Sequence, residues 1–165
     1  MAAIQVREGS HADIPAIRTI LNEIIRIGGT TAYQVELTEA EAAAHFLTGQ
    51  DVVLCHVALD EAGAVAGFQA LQRHAGLPPD VADIATFARR TPRRPGIGAA
   101  LFSETHRAAA GLGWAQINAT IRADNDGGLA YYAKMGFRRH AVARGVPLRD
   151  GTPVDRVSMR FDLGA

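Results

Sequence analysis

The chain has 165 residues, 48% of them hydrophobic and 21% charged, with 17 lysines and arginines balanced by 17 aspartates and glutamates. That length suits one well-buried domain and leaves little for a second. Zero formal net charge argues against broad phosphate-backbone binding, which leaves a basic excess, so no nucleic-acid partner is expected. A lone cysteine, Cys55 in "VVLCHVAL", excludes an intrachain disulfide and reads as a small buried hydrophobe.

The opening "MAAIQVREGS" has neither a basic leader nor a long apolar run. No stretch approaches the roughly 18 apolar residues of a membrane span, so a cytoplasmic protein is expected. In chain order, "AIQVRE" reads as a strand. Ser10 and Asp13 form a capping-box pattern before Ile14, Ile17, Leu21 and Ile24, which recur at helical spacing. The glycines at 28–29 end that helix. "LTEAEAAAHFL" begins a second one, with Thr38 and Glu41 as its capping pair. "VVLCHVAL" and "AVAGFQALQRH" flank the turn "DEAG" as a hairpin, and "VADIATFA" follows the loop "GLPPD" as a further strand. A helix then runs to about Leu112 and closes at Gly113. "AQINATIR" is a strand, "NDGGLAYYAKMG" a short helix, and "FRRHAVAR" and "VDRVSMRFDL" are the last two strands. The order β-α-α-β-β-β-α-β-α-β-β defines a single α/β domain over 1–165, with a mixed sheet antiparallel in its first half.

The stretch "RRTPRRPGIGAALF", residues 89–102, places Gly96 and Gly98 between a strand and a helix. Glycines there let the backbone turn sharply and admit a ligand close to it. The unpaired N–H groups of a helix start attract anions. An ordinary strand-to-helix connection with solvated arginines is the favoured reading of this spacing alone. "RRPGIGAA" lacks the lysine and hydroxyl residue of a Walker loop, and it lacks the third glycine of a dinucleotide fingerprint.

Together with the downstream "ADNDGGLAYYAKMGF", the loop resembles the GNAT superfamily of acyl-CoA-dependent N-acetyltransferases. "RRPGIG", Arg93 to Gly98, is similar to the family's [Q/R]-x-x-G-x-[G/A] pyrophosphate loop. Asn125, Tyr131-Tyr132 and Gly136-Phe137 are similar to its Asn…Tyr…Gly-Phe segment. "DIPAIRTILNEII", "GGTTAY" and "DIATFARR" resemble the phosphinothricin acetyltransferase-like group, although Arg94 and Pro95 stand where that group often carries Gly and Lys. The resemblance implies a mixed, mostly antiparallel sheet of six to seven strands with helices on both faces and strands 4 and 5 splayed apart. It implies acetyl-CoA as co-substrate. The pantetheine arm pairs near Phe87 and Ala88, and the pyrophosphate rests on the N–H groups of Arg94 and of Gly96, Ile97, Gly98 and Ala99. Arg89, Arg90, Arg93 and Arg94 are candidates for the remaining phosphates. Asn125 holds CoA and Tyr132 protonates the leaving thiolate, with Tyr131 left to packing. A homodimer is expected on the same ground.

Physical chemistry constrains those roles. A free tyrosine at about pKa 10 is a weaker acid than a thiol at about 8.5, so full transfer to thiolate is uphill by roughly 2 kcal/mol. Tyr132 therefore needs a shifted pKa, or else acts by hydrogen-bonding the developing charge; a half-buried packing residue is the plainer alternative. Asp83 is the candidate base for the amine, with an exposed strand-edge residue as its alternative reading. An ordinary aspartate is mismatched with an α-amino group by about 4 units and with a lysine-type amine by about 6, which favours amino acids or their analogues as acceptors. Thr31 and Tyr33 in the loop after the first helix, and His74 in "RHAGLPPD", are candidate acceptor-binding residues. His74 and His140 are further candidate bases, His56 reads as a satisfied core histidine, and no metal is expected, because no pair of histidines has ligand spacing. The expected reaction moves an acetyl group to the primary amine of a small molecule, by direct attack, on an amino acid such as phosphinothricin or a methionine sulfoximine analogue. A peptide N-acetyltransferase and a non-catalytic CoA-binding sensor are the alternatives.

Overall fold

The computed structural model describes residues 3–164. Seven strands form one sheet in the order β1-β2-β3-β4-β5-β7-β6, where β1 is Gln5–Glu8, β2 Val52–Leu59, β3 Val65–Gln72, β4 Val81–Ala88, β5 Gln116–Arg122, β6 Arg138–Pro147 and β7 Pro153–Asp162. The pair β4–β5 is parallel and the other five pairs are antiparallel. Four α-helices complete the order read from the sequence: α1 (Ile14–Ile27), α2 (Glu39–Ala43), α3 (Ile97–Gly111) and α4 (Asp126–Met135).

The helix starts follow from their caps. The Ser10 N–H donates to Asp13 Oδ2 at 2.8 Å, and a single 3-10 turn over His11–Asp13 leads into α1, with Pro15 in its first turn. Thr38 and Glu41 satisfy each other's backbone N–H groups at the start of α2. The second helix is shorter than its apolar pattern predicts. After Ala43 the chain widens into a π turn over Ala44–Thr48, where Thr48 Oγ1 donates to the Ala43 carbonyl and Phe46 is driven fully into the core. In the β2–β3 hairpin Asp60 Oδ1 accepts from the N–H groups of Ala62 and Ala64 and so fixes the turn.

The pleat sends alternate residues of β2–β4 to opposite faces. Ile17, Leu21, Phe46, Val57 and Phe68 form a core beneath α1 and α2, while Leu71, Ile84, Phe102, Ile117 and Phe137 form another beneath α3 and α4. Phe46 and Phe68 are wholly buried, with ring centroids 5.1 Å apart. Truncating either to alanine costs about 3–5 kcal/mol. Strand β6 runs three residues beyond its sequence signal and is exposed at nine of its ten positions, which makes it an uncovered sheet edge.

Candidate active site

The parallel pairing of β4 with β5 lasts three residues, Val81–Gln116, Ala82–Ile117 and Asp83–Asn118, and then stops while both strands continue. From Ile84 to Ala88 the β5 side of β4 has no ladder partner. A notch therefore opens in the middle of the sheet, with Asp83 at its apex. Successive residues alternate faces, so Asp83, Ala85 and Phe87 look toward α1 and the loop after it, while Ile84 and Thr86 look toward α3 and α4.

On the α3–α4 side, Tyr132 is 7% exposed and its hydroxyl lies 2.9 Å from Thr86 Oγ1. Burial pushes its phenol well above the ordinary range, with smaller contributions from Tyr131 and the Asp83 charge. It stays protonated at any working pH, which suits a hydrogen-bond donor better than a complete proton donor. Tyr131 does more than pack. Its hydroxyl donates to the Gly98 carbonyl at 2.7 Å and accepts from Gln69 Nε2 at 3.2 Å, with its pKa pushed up to about 12 by burial. Sequence reasoning missed this tyrosine, because its partners lie 33 and 62 residues away in the chain.

On the opposite face, Asp83 Oδ1 accepts from Asn118 Nδ2 at 2.9 Å, and Arg160 Nε donates to Asn118 Oδ1 at 2.8 Å. Asp83 is half-buried inside the sheet rather than at a strand edge. Desolvation raises its pKa against the opposing hydrogen bond from Asn118 and the charges of His74 and Arg160. That is the direction a carboxylate base requires. Tyr33 packs across this face against His45, Phe46 and Phe87, its own pKa raised first by burial and then by the Asp83 charge. Thr31 is buried, with its hydroxyl accepting the Tyr33 N–H. His74 is exposed in the loop before β4, where Nδ1 accepts from the Gly76 N–H. His140 sits on the exposed strand β6, and His56 is buried against Thr105 Oγ1 as its apolar surroundings predict.

At the mouth of the notch Gly96 caps α3 in the left-handed region, φ 89°, which a side chain would strain. No side chain caps this helix, so the N–H groups of its first turn, from Ile97 to Ala99, face outward as donors. Gly98 is small for a different reason than ligand approach. A Cβ there would fall 2.6 Å from Tyr131 Cε1. The arginines divide. Arg89 pairs with Asp60 at 3.0 Å and Arg94 with Glu61 at 2.7 Å, which ties the loop to the β2–β3 turn, whereas the Arg90 and Arg93 side chains are exposed. Asn125 caps α4, with Oδ1 accepting the Gly128 N–H and Nδ2 donating to the Thr30 carbonyl, each at 2.9 Å. Its amide thus fixes the loop that carries Thr31 and Tyr33 against the end of β5. Two shallow clefts, one of ≈ 350 Å³ near Glu23, Arg89 and Thr91 and the other of ≈ 280 Å³ near Arg73 and Trp114, are lined by none of Asp83, Thr86 and Tyr132. Cys55 is buried, and its thiol is pushed up to about 12 by desolvation, which leaves it unreactive. Among the described residues no group of three or more His, Cys, Asp or Glu is placed to hold a metal ion.

No family model matches the chain. Over 152 residues it is 27% identical to YwnH of Bacillus subtilis (strain 168), a protein named as a phosphinothricin acetyltransferase; the match covers 91% of this chain and 93% of that one. Among solved structures it is similar to a GNAT superfamily phosphinothricin acetyltransferase from Sinorhizobium meliloti in complex with AcCoA. The identity is 28% and the TM-score 0.86, over 99% of this chain and 90% of that one. It is also similar to a GCN5-related N-acetyltransferase from Kribbella flavida, at 26% identity and a TM-score of 0.83, over 97% and 98% of the two chains.

Proposed function

We propose that this chain is an N-acetyltransferase of the GNAT superfamily, of the phosphinothricin acetyltransferase-like kind, and that it moves the acetyl group of acetyl-CoA directly onto the primary amine of a small amino acid or analogue. The carrying observation is the notch itself: a buried tyrosine hydroxyl stands on one face of β4, a half-buried carboxylate with a raised pKa stands on the other, and the strand pairing ends between them.

The unpaired edge of β4 at Phe87 and Ala88 takes the pantetheine arm as an added strand. The diphosphate rests on the N–H groups of Arg94 and of Gly96 to Ala99, with Arg93 beside it. Asn125 shapes the cofactor side by holding the end of β5 and the Thr30 carbonyl together. The amine enters from the face of Thr31, Tyr33 and His74 and loses its proton to Asp83. Its lone pair then attacks the thioester carbon, the carbon–sulfur bond breaks, and the second nitrogen proton is released to the departing thiolate as the amide forms. Tyr132 donates a hydrogen bond to the departing thiolate, whose basicity the same dry surroundings raise. Phosphinothricin- and methionine sulfoximine-like acceptors fit this reading, because their α-amino group is the less basic kind of amine and lies closer to an aspartate whose pKa is raised. The exposed edge strand β6 supports the expected homodimer. Among the described residues no helix is long and apolar enough to cross a membrane.

An acceptor panel tests the reading. Release of free thiol from acetyl-CoA is expected with α-amino acids and not with peptides. Turnover restricted to peptides would transfer the function to protein substrates, and tight CoA binding without turnover on any amine would make the chain a sensor.

A further inference from the structure

Gln69 lies at the centre of β3, fully buried, directly across from Thr86 in the register. A glutamine in such a place carries a cost. Its Oε1 is buried with no hydrogen-bond partner, one of two such side-chain atoms among the described residues. A leucine of similar size would avoid that penalty. What the amide supplies instead is a pair of donors. Nε2 donates to Thr86 Oγ1 at 2.8 Å and to the Tyr131 hydroxyl at 3.2 Å. A hydroxyl has one hydrogen and two lone pairs. Tyr131 spends its hydrogen on the Gly98 carbonyl, which only accepts. Thr86 has one lone pair taken by Gln69, and its Oγ1 lies 2.9 Å from Tyr132 Oη, a contact in which either hydroxyl can be the donor.

We infer that Gln69 and Thr86 are positioning residues that turn the Tyr132 hydroxyl hydrogen into the β4–β5 notch, through a one-way chain of donors from Gln69 to Thr86 to Tyr132. When Thr86 donates to Tyr132, the phenol oxygen is satisfied as an acceptor and its own hydrogen is free for an anion in the notch. Donors aligned in one direction polarise one another, so the phenol becomes a stronger donor than an isolated tyrosine. The opposite orientation spends the phenol hydrogen on Thr86 Oγ1 and turns it away from the notch. Through Tyr131 the same amide also touches the first turn of α3, so the cofactor loop and the hydroxyl are set by one side chain. The inference rests on the reading of Tyr132 as the donor to the thiolate.

The test is steady-state kinetics on Thr86→Val, Thr86→Ser, Tyr132→Phe and the double variant Thr86→Val/Tyr132→Phe, with acetyl-CoA and the best acceptor from the panel. Thr86→Val is expected to lower kcat about tenfold while leaving the KM for acetyl-CoA within about threefold, and Thr86→Ser to recover most of the loss. The double variant is expected to be no slower than Tyr132→Phe, because the threonine acts only through the phenol. Gln69→Leu placed on Thr86→Val is expected to add no further loss in kcat. If Tyr132→Phe is slow while Thr86→Val matches wild type, or if their losses multiply, the positioning inference is overturned and the tyrosine reading stands. If Tyr132→Phe itself turns over at the wild-type rate, both fall.

Discussion

Gly98→Ala puts one methyl group against the side chain that holds the start of α3. The added carbon would lie 2.6 Å from Tyr131 Cε1, 3.1 Å from Cζ and 3.3 Å from Cδ1, all atoms of one rigid ring. Ordinary carbon contacts lie at about 3.5–4 Å, so the helix start and the ring must part by about 1 Å. Overpacking of that size costs about 1–3 kcal/mol, against about 1 kcal/mol gained by replacing a helical glycine. A net loss near 1 kcal/mol lowers Tm by about 2–4 °C in a chain of this length. The same displacement moves the first-turn N–H groups, and losing one charge-assisted hydrogen bond of about 1.5 kcal/mol raises the Kd for CoA about tenfold. Gly111→Ala, in the last turn of the same helix, is the control, since nothing lies within 4 Å of its added carbon. It is expected to raise Tm slightly and leave CoA affinity alone. Thermal melting and titration calorimetry with CoA read both quantities. If Gly98→Ala behaves like Gly111→Ala in both, the coupling of α3 to Tyr131 and to the cofactor is refuted.

Asp83→Asn keeps an oxygen for Asn118 Nδ2 but removes the charge. The folded pKa of Asp83 is raised, so its contribution to stability is full below the ordinary aspartate value and is lost as pH rises through the raised one. At pH 8 the variant is therefore expected to melt no lower than wild type, while kcat/KM for the amine drops about 10²–10⁴-fold; unchanged kcat/KM would remove Asp83 from the chemistry. Asn125→Ala loses a helix cap worth about 1 kcal/mol and frees the Thr30 carbonyl. A lower Tm with a raised KM for the acceptor is expected, and a lower Tm with that KM unchanged would confine Asn125 to capping.

The elements and their order were legible because each depends on neighbours in sequence: the spacing of Ile14, Ile17, Leu21 and Ile24, the Thr38–Glu41 cap, and the turn held by Asp60. The mixed sheet, the helices on both faces and the parting of β4 from β5 after Asp83 agree with the splayed strands and layers that the family resemblance implied. What escaped the sequence depends on partners far apart in the chain. Tyr131 looked like packing because Gly98 and Gln69 meet it only after the sheet forms. Gln69 and Thr86 looked like ordinary strand residues, since nothing local marks a cross-strand pair. Arg89 and Arg94 looked free for phosphate because the acids that hold them, Asp60 and Glu61, belong to a hairpin turn about thirty residues earlier. The π turn after α2 had no local signal either, as the alanines of α2 leading into it fit a longer regular helix equally well.

The claim that the β4–β5 notch is the acetyl-transfer site is tested most directly by a crystal structure of this chain with CoA. The account requires the diphosphate within hydrogen-bond distance of the N–H groups of Ile97 to Ala99, the pantetheine along the free edge of β4, and the sulfur within reach of Tyr132 Oη. A CoA molecule seated away from the notch, or one with its sulfur directed away from both Tyr132 and Asp83, would contradict it.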